Sequence, residues 1–211
     1  MIRTRLLPLL AAGSVACVSL KPQPDPSRFF VLTSTVPAPP TRQAGSVVGV
    51  GPVTLPGYLR RAQIVTRDGD TEMRLSVHAR WAEPFPAMTS RVLMEDLVAA
   101  LGAERGVAYP WQRTVAPSPV VEVEFSHFER DTSGAALLEA DWRVRSGSAT
   151  HPGHSRIVEA AVGPGMEESA AALSRALGRL AGEIAAAARS VGAGAPLPGE
   201  VSLPPSGGRP G

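Results

Sequence analysis

Histidine and acidic side chains are the first residues whose types and spacing suit catalysis or metal binding. His151 and His154 flank Pro152-Gly153, and Glu139 and Asp141 lie two residues apart, the spacing that puts two carboxylates on one face of a strand. A zinc site needs a third ligand and supporting neighbours, so the histidine pair predicts a turn. The carboxylates lack a partner nucleophile, which favours a solvated strand face over glycosidase chemistry. A hydrolase that uses His151 or Asp141 is the enzymatic alternative.

Other short motifs lack the context that their chemistry requires. Ser133-Gly134 is not the glycine-serine-glycine elbow of a hydrolase. Gly49 and Gly51 are not followed by a third glycine or by a helical pattern, which argues against a phosphate-binding loop. The remaining histidines, His78 and His127, stand alone. We therefore expect no catalytic residue, no metal and no cofactor.

The single cysteine offers a different chemistry, the covalent attachment of lipid. Arg3 and Arg5 precede the apolar run Leu6–Val15, which is too short to span a bilayer. The run ends in small residues that lead to the cysteine, and Ser14-Val15-Ala16-Cys17 matches the lipobox of bacterial lipoproteins. A lone cysteine also cannot form an internal disulfide, which suits a thiol used for lipidation.

In this interpretation residues 1–16 are a cleaved signal peptide, and Cys17 receives a diacylglycerol on its thiol and a third acyl chain on its amine. Each buried methylene contributes about 0.8 kcal/mol, and more than one acyl chain gives stable anchoring. Val18 stands where inner-membrane retention usually has aspartate, so we expect a periplasm-facing position on the outer membrane. The alternative is an ordinary secretory signal followed by an incidental cysteine.

The charge of the chain gives no sign of a nucleic-acid partner. The 211 residues include 21 basic and 19 acidic side chains, for a net charge of +2. Arg3 and Arg5 are the only charges of the signal, so its removal leaves a mature chain with no net charge. The other arginines are interspersed with acids, whereas a nucleic-acid binder concentrates basic residues on one face.

Composition divides the mature chain into three parts. Residues 17–27 contain three prolines and no apolar periodicity, and we predict a lipidated flexible spacer. Residues 28–191 have the size of one domain. Residues 192–211 are rich in glycine and proline without periodicity, which predicts a disordered tail.

Apolar patterning predicts strands in the first half of the domain. Phe29–Leu32 is a short apolar run and predicts a first buried strand. The run Ser46–Val53 is nearly continuous in apolar residues, as in a central strand covered on both faces. Ile64–Leu75 has the pattern of a hairpin, and Gly106–Trp111 that of a short strand.

Two helices and an antiparallel meander are predicted after the hairpin. Pro84–Pro86 opens the first helix, and Gly102 ends it. Residues 120–162 alternate apolar with polar side chains and predict a three-stranded meander, its last strand at Ser155–Val162. The longest helix is expected at Met166–Ser190. These elements predict one α/β domain in which a mixed sheet carries two main helices.

Several blocks, taken together in this order and spacing, resemble the ABC-type transport auxiliary lipoprotein family. The blocks follow the lipobox and lie at Arg28–Leu32, Val48–Leu59, Gln63–Arg67, Arg80–Pro84 and Tyr109–Trp111. The resemblance covers roughly residues 28 to 190. This chain departs from the family pattern at Phe29-Phe30, where tyrosines are common, and in its glycine- and proline-rich tail.

The resemblance implies an αβα type of fold, similar to the amino-terminal domain of TolB, and no catalysis. It further implies an outer-membrane lipoprotein that works with an MCE-domain protein, together with inner-membrane or ABC transporter components, in moving phospholipid between the two membranes. Members of the family form rings, so a homo-oligomer is expected. The alternative is an envelope scaffold or assembly lipoprotein for a secretion or cell-wall machine.

The segment from Leu55 to Arg61 is the predicted partner-binding loop. It comprises Leu55, Tyr58, Leu59, Arg60 and Arg61, and tyrosine and arginine are enriched at binding hot spots. The alternative is that Leu55, Tyr58 and Leu59 simply pack against the sheet.

Overall fold

The computed structural model describes residues 24–193 of the chain. The predicted signal peptide, the predicted lipidation at Cys17, most of the predicted spacer and the tail from residue 194 lie outside this range.

Eight strands and two helices follow one another along the described chain. They are β1 (Arg28–Phe30), β2 (Gln43–Thr54), β3 (Gln63–Asp68), β4 (Glu72–Trp81), α1 (Phe85–Leu101), β5 (Ala103–Ala108), β6 (Val120–Asp131), β7 (Ala136–Ser146), β8 (Ala149–Glu159) and α2 (Met166–Ala193). All eight strands belong to one sheet with parallel and antiparallel neighbours. The predicted α/β class, single domain, mixed sheet and two main helices are confirmed.

Strand β6 organises the sheet because it pairs with three other strands, one along one edge and two along the other. Strand β7 pairs antiparallel along one edge and carries β8 beyond it. The other edge is shared: β2 runs parallel to β6 at Val120–Glu124, and β3 runs parallel to it at Arg130–Asp131. Outward from these, β5 pairs with β2, β4 pairs with β3, and the short β1 pairs with β4.

The two helices contact each other and lie side by side on one face of the sheet, α1 over β2 and β5 and α2 over β7 and β8. Because both helices lie on the same side of the sheet, the described domain has two layers and departs from the αβα type that the resemblance implies. Side chains from both helices and the sheet form one core, whose largest fully buried members include Phe85, Leu93, Leu97, Phe128, Leu138, Ile157, Leu173, Leu177 and Leu180.

The local signals at the ends of helix α1 act as expected. Pro84 and Pro86 occupy its first turn, where backbone amides need no partner inside the helix. Gly102 ends the helix in the left-handed conformation, with φ of 65°, and its amide donates to the carbonyl of Ala99.

The predicted turn at His151-Pro152-Gly153-His154 is wrong, because these residues belong to strand β8. The chain turns earlier, between Ser146 and Ala149, where Gly147 has a positive φ of 58°. Among residues 24–193, strand β8 pairs only with β7, and an edge strand tolerates a proline that cannot donate a hydrogen bond. Gly153 lies opposite Trp142, whose indole occupies the space a side chain would need.

Replacing Gly153 with alanine is expected to destabilise the fold by about 1–3 kcal/mol, the usual cost of overpacking. A Cβ there would meet ring atoms of Trp142, whose Nε1 donates to the Ser155 hydroxyl at 2.9 Å. The matched control is Gly182→Ala on helix α2, where a Cβ meets nothing within 4 Å and alanine favours the helix. Urea unfolding distinguishes the two, and equal stability changes would contradict the account of Gly153.

A buried aspartate on helix α1 fastens the segment that follows β1. The Oδ1 atom of Asp96 accepts hydrogen bonds from the Ser34 hydroxyl at 2.7 Å and from the amides of Thr35 and Val36 at 2.9 and 3.1 Å. Its Oδ2 atom is buried without a hydrogen-bond partner among the described residues. Burial raises the pKa of the Asp96 carboxyl above its ordinary 3.8, although the three donors oppose the shift.

Titration of Asp96 is expected to lower stability as the pH rises. Below pH 3.8 the carboxyl is protonated in both states. Between that value and the raised pKa of the folded state, only the unfolded chain loses its proton, so the free energy of unfolding falls with increasing pH. Asp96→Asn removes this term, so wild type should lose stability relative to the variant in urea titrations from about pH 3 to about pH 7. If the free energies of unfolding of wild type and Asp96→Asn depend on pH in the same way, this expectation is wrong.

Candidate functional site

The predicted partner-binding loop, Leu55 to Arg61, forms a tight turn between β2 and β3 and is called the docking segment here. Pro56 precedes a short 3₁₀ helix at Gly57–Leu59, and the amides of Leu59 and Arg60 donate to the carbonyls of Pro56 and Gly57. Leu55 and Leu59 point into the core and are each only 3% exposed. In this conformation a partner can reach Arg60 and Arg61, which are exposed, and part of the half-buried Tyr58.

Tyr58 fills a gap in the sheet. Strands β2 and β3 leave the same edge of β6 unpaired between Glu124 and Arg130. The Tyr58 hydroxyl lies in this interval, 2.8 Å from Oε2 of Glu129 and 3.4 Å from the carbonyl of Ser126. Burial, together with the hydrogen bond to Glu129, raises the pKa of Tyr58, so the hydroxyl stays protonated and donates.

Glu129 holds the docking segment to the sheet. Its carboxylate is fully buried and accepts from Nε of Arg67 at 2.6 Å and from the amide of Phe128 at 2.8 Å, besides the Tyr58 hydroxyl. His127 Nδ1 lies 3.0 Å from the same carboxylate and 3.1 Å from Nη2 of Arg67. A buried charge with several charge-assisted hydrogen bonds has little freedom to move, so the segment is rigidly placed.

A surface groove, called the arginine groove here, lies beside this segment. It has a volume of about 550 Å³ and is formed by two stretches of chain, Arg60–Ala62 and Trp81–Pro86. The Trp81 amide donates to the Ala62 carbonyl at 2.7 Å, and the Ala82 amide donates to the Phe30 carbonyl at 2.9 Å. Backbone hydrogen bonds on both sides therefore fix the shape of the groove.

Stacked aromatic rings form the floor of the arginine groove. Trp81 and Phe85 stack with ring centroids 4.7 Å apart, and Phe85 continues the stack onto Phe128 at 5.3 Å. Both floor residues are almost fully buried, so the groove is shallow and its base is closed. Ala82 and Pro84 add exposed apolar surface at its wall.

The arginine groove is positively charged. Arg60 and Arg61 have no carboxylate within 4 Å among residues 24–193, and Nε of Arg61 donates to the Tyr58 carbonyl at 2.7 Å, which orients the guanidinium. The acidic residue of the lining, Glu83, is already bound to Arg91 at 2.5 Å. An occupant with an apolar part and a negative charge would match this surface.

The sequence pattern identified one wall of the groove and missed the other. Arg60 and Arg61 belong to the predicted docking segment, whereas the sequence pattern gives the stretch at Trp81–Pro86 as part of a family block and as the start of helix α1, not as a binding surface. The turn-forming prolines beside an apolar tryptophan were the available signal. Their position opposite Arg60 depends on the pairing of β3 with β4, which the sequence pattern does not specify in register.

The histidines and carboxylates considered for catalysis lie elsewhere. His154 Nδ1 is 3.0 Å from Oδ1 of Asp141 on the helix-free face of the sheet, and both side chains are more than half exposed. Glu139 is held by Arg156 at 2.8 Å. The His151 ring is not part of this pair; its centroid lies 5.9 Å from that of Trp142, and the two rings are tilted by 32°.

Other candidate motifs have structural partners. The Gly49 amide donates to the Pro119 carbonyl at 2.9 Å, and Pro117 and Trp111 close over Gly49. Within residues 24–193 no three histidine, cysteine or acidic side chains cluster as a metal site would require. Across the same range, neither helix has the length and apolar character needed to cross a bilayer.

Several solved structures are similar to this chain at low sequence identity. A crystal structure of an uncharacterized protein gives a TM-score of 0.63 at 16% identity and covers 76% of this chain and 97% of its own. Protein XCC0632 from Xanthomonas campestris, a DUF330 protein, gives 0.61 at 16% identity, with 79% and 97% covered. A PelC dodecamer from Paraburkholderia phytofirmans gives 0.36 at 14% identity, with 69% and 89% covered.

Among curated proteins, none matches this chain. A family model does match: the ABC-type transport auxiliary lipoprotein component, over residues 30–185. The match includes helix α1, most of helix α2, the docking segment and both walls of the arginine groove. It spans well over half of the sequence, and the chain therefore belongs to the ABC-type transport auxiliary lipoprotein family.

Proposed function

We propose that this protein is the outer-membrane-anchored, periplasm-facing auxiliary subunit of an MCE-type system that moves phospholipid between the inner and outer membranes. Its role is to dock a partner and not to catalyse a reaction. The observation that carries the proposal is membership of the ABC-type transport auxiliary lipoprotein family, which makes the chain a lipoprotein component of transport in the cell envelope. The anchor, the membrane and the MCE partner are the further steps proposed here.

The sequence before the domain supports an anchor close to the docking surface. Cys17 precedes Arg28, the first residue of β1, by eleven residues. A fully extended chain of that length reaches at most roughly 40 Å. Because Phe30 at the end of β1 is hydrogen-bonded to Ala82 in the wall of the arginine groove, the anchor would hold this groove near the membrane surface.

The construction of the docking segment suits an adaptor. Rigid surfaces lose little conformational entropy on binding, which favours affinity. The Glu129 carboxylate, the Tyr58 hydroxyl and the closed backbone of the groove supply that rigidity. The same surface offers aromatic and arginine side chains, the residue types that dominate interface energies.

The experiment is to crosslink the natively lipidated protein in cells, solubilise the membranes gently and identify the copurifying proteins by mass spectrometry. We expect an MCE-domain protein, accompanied by inner-membrane or ABC transporter components and by further copies of this chain. Recovery of a secretion or cell-wall component without an MCE protein would overturn the proposal in favour of an envelope scaffold.

A companion measurement tests the proposed absence of catalysis. His154→Ala and Asp141→Asn alter the histidine–carboxylate pair on the exposed sheet face, and both variants should support envelope function as wild type does. His151→Ala provides a third variant on the same strand. Loss of function in these variants, with protein level and MCE binding unchanged, would favour a hydrolase.

A further inference from the structure

We infer that the arginine groove binds a peptide segment of the partner protein in which a bulky apolar side chain stands next to one or more carboxylates. The inference rests on the proposed function for the identity of the partner, and on the described residues for the chemistry of the segment. Apolar side chains would lie along Ala82 and Pro84, the exposed apolar residues of the wall. Carboxylates would meet Arg60 and Arg61.

Charge complementarity specifies the acidic part of the segment. Arg60 and Arg61, which both line the groove, have no carboxylate within 4 Å among the described residues, although nine other arginines there do. Arg91 binds Glu83 at 2.5 Å and Glu95 at 3.1 Å, so the nearest acids do not neutralise the groove. An arginine fork binds a carboxylate through two parallel hydrogen bonds, which a cationic or neutral segment cannot supply.

The shape of the groove specifies the apolar part. The stacked rings of Trp81, Phe85 and Phe128 fill the space beneath it, so an occupant lies along the surface and does not enter the core. The volume of about 550 Å³ admits a few side chains. A phospholipid with two acyl chains would leave most of its methylenes in water there, which the hydrophobic effect opposes.

The test places a photo-crosslinking amino acid at Ala62, which is exposed in the groove, within the intact lipidated chain in cells. The control position is Val158, which is 58% exposed on strand β8. The crosslinked partner is digested, and mass spectrometry identifies the attached peptide. The same crosslink is then measured in the charge-reversed variant R60E/R61E and in the matched control R105E/R113E, which reverses two exposed arginines outside the groove.

The expected result is a crosslink from Ala62, and not from Val158, to a segment of the MCE-domain protein that contains an apolar residue beside aspartate or glutamate. R60E/R61E should lower its yield by about tenfold or more, while R105E/R113E leaves it unchanged. Three results would overturn the inference: a crosslink from Ala62 to lipid or to a second copy of this chain, a segment without acidic residues, or equal yields in the two variants.

If Ala62 captures an acidic, apolar segment of a different protein, the groove chemistry stands and the MCE assignment fails. If an MCE protein copurifies but is captured only from Val158, the assignment stands and the groove inference fails.

Discussion

Cys17→Ser is expected to move the protein completely from the membrane fraction to the soluble periplasm and to abolish its function. The serine hydroxyl cannot form the thioether that joins diacylglycerol to the chain, so the acyl anchor is lost. Several buried acyl chains hold a lipoprotein essentially permanently. Fractionation and incorporation of labelled palmitate measure the change.

A second variant checks that the loss reflects anchoring and not misfolding. Val18→Asp keeps the cysteine and introduces the residue usual at this position in inner-membrane lipoproteins. It should remain acylated and membrane-bound but accumulate in the inner membrane. If Cys17→Ser stays in the membrane fraction and supports function, the anchoring account is wrong.

Glu129→Ala is expected to destabilise the fold by about 3–5 kcal/mol, the range for breaking a buried ion pair from one side. The substitution leaves Arg67, whose side chain is only 17% exposed, without its carboxylate, and it removes the acceptor for the Tyr58 hydroxyl and the Phe128 amide. Total stabilities of domains are only about 5–15 kcal/mol, so the variant should unfold at much lower denaturant concentration. Binding of the partner should fall with it, because the docking segment loses its attachment to β6.

Tyr58→Phe separates the loss of the Tyr58 hydrogen bond from the loss of the buried ion pair. It removes one hydrogen bond to a charged acceptor, at a cost of about 1.5 kcal/mol, and leaves the Arg67–Glu129 pair intact. Urea unfolding of both variants at neutral pH is the measurement. Equal destabilisation by the two substitutions would contradict the role given to the buried ion pair.

The fold class was predictable because each long element has a clear local signal. The strict alternation along β6 and β7 has the period of a half-buried strand, and the apolar stripe of α2 has the period of a helix. The end of α1 at Gly102 follows from the conformational freedom of glycine. These signals depend on neighbouring residues only, so they survive in a single sequence.

The beginning of β8 was missed because its signal is not local. A proline–glycine pair usually marks a turn, and here Pro152-Gly153 continues a strand. What decides the matter is the edge position of β8 and the indole of Trp142, eleven residues earlier, which lies where a Gly153 side chain would be. Such tertiary contacts override local turn preference.

The candidate site was predictable on one side only. Tyr58 and the two arginines have residue types that suit an interface, and the sequence places them together in one turn. That Leu55 and Leu59 point inward, and that Glu129 receives the Tyr58 hydroxyl, follow from how β2 and β3 share one edge of β6. Strand order and register arise from long-range pairing, which apolar periodicity does not encode.

The central claim, a role in phospholipid transport between the two membranes, is tested most directly by following phospholipid itself. Newly made phospholipid is pulse-labelled in cells that lack the protein and in the same cells supplied with wild type or with Cys17→Ser, and the label in separated inner and outer membranes is measured over time. We predict that equilibration of the label between the membranes is slowed without the protein, is restored by wild type and is not restored by Cys17→Ser. The same rate of equilibration in all three would contradict the claim.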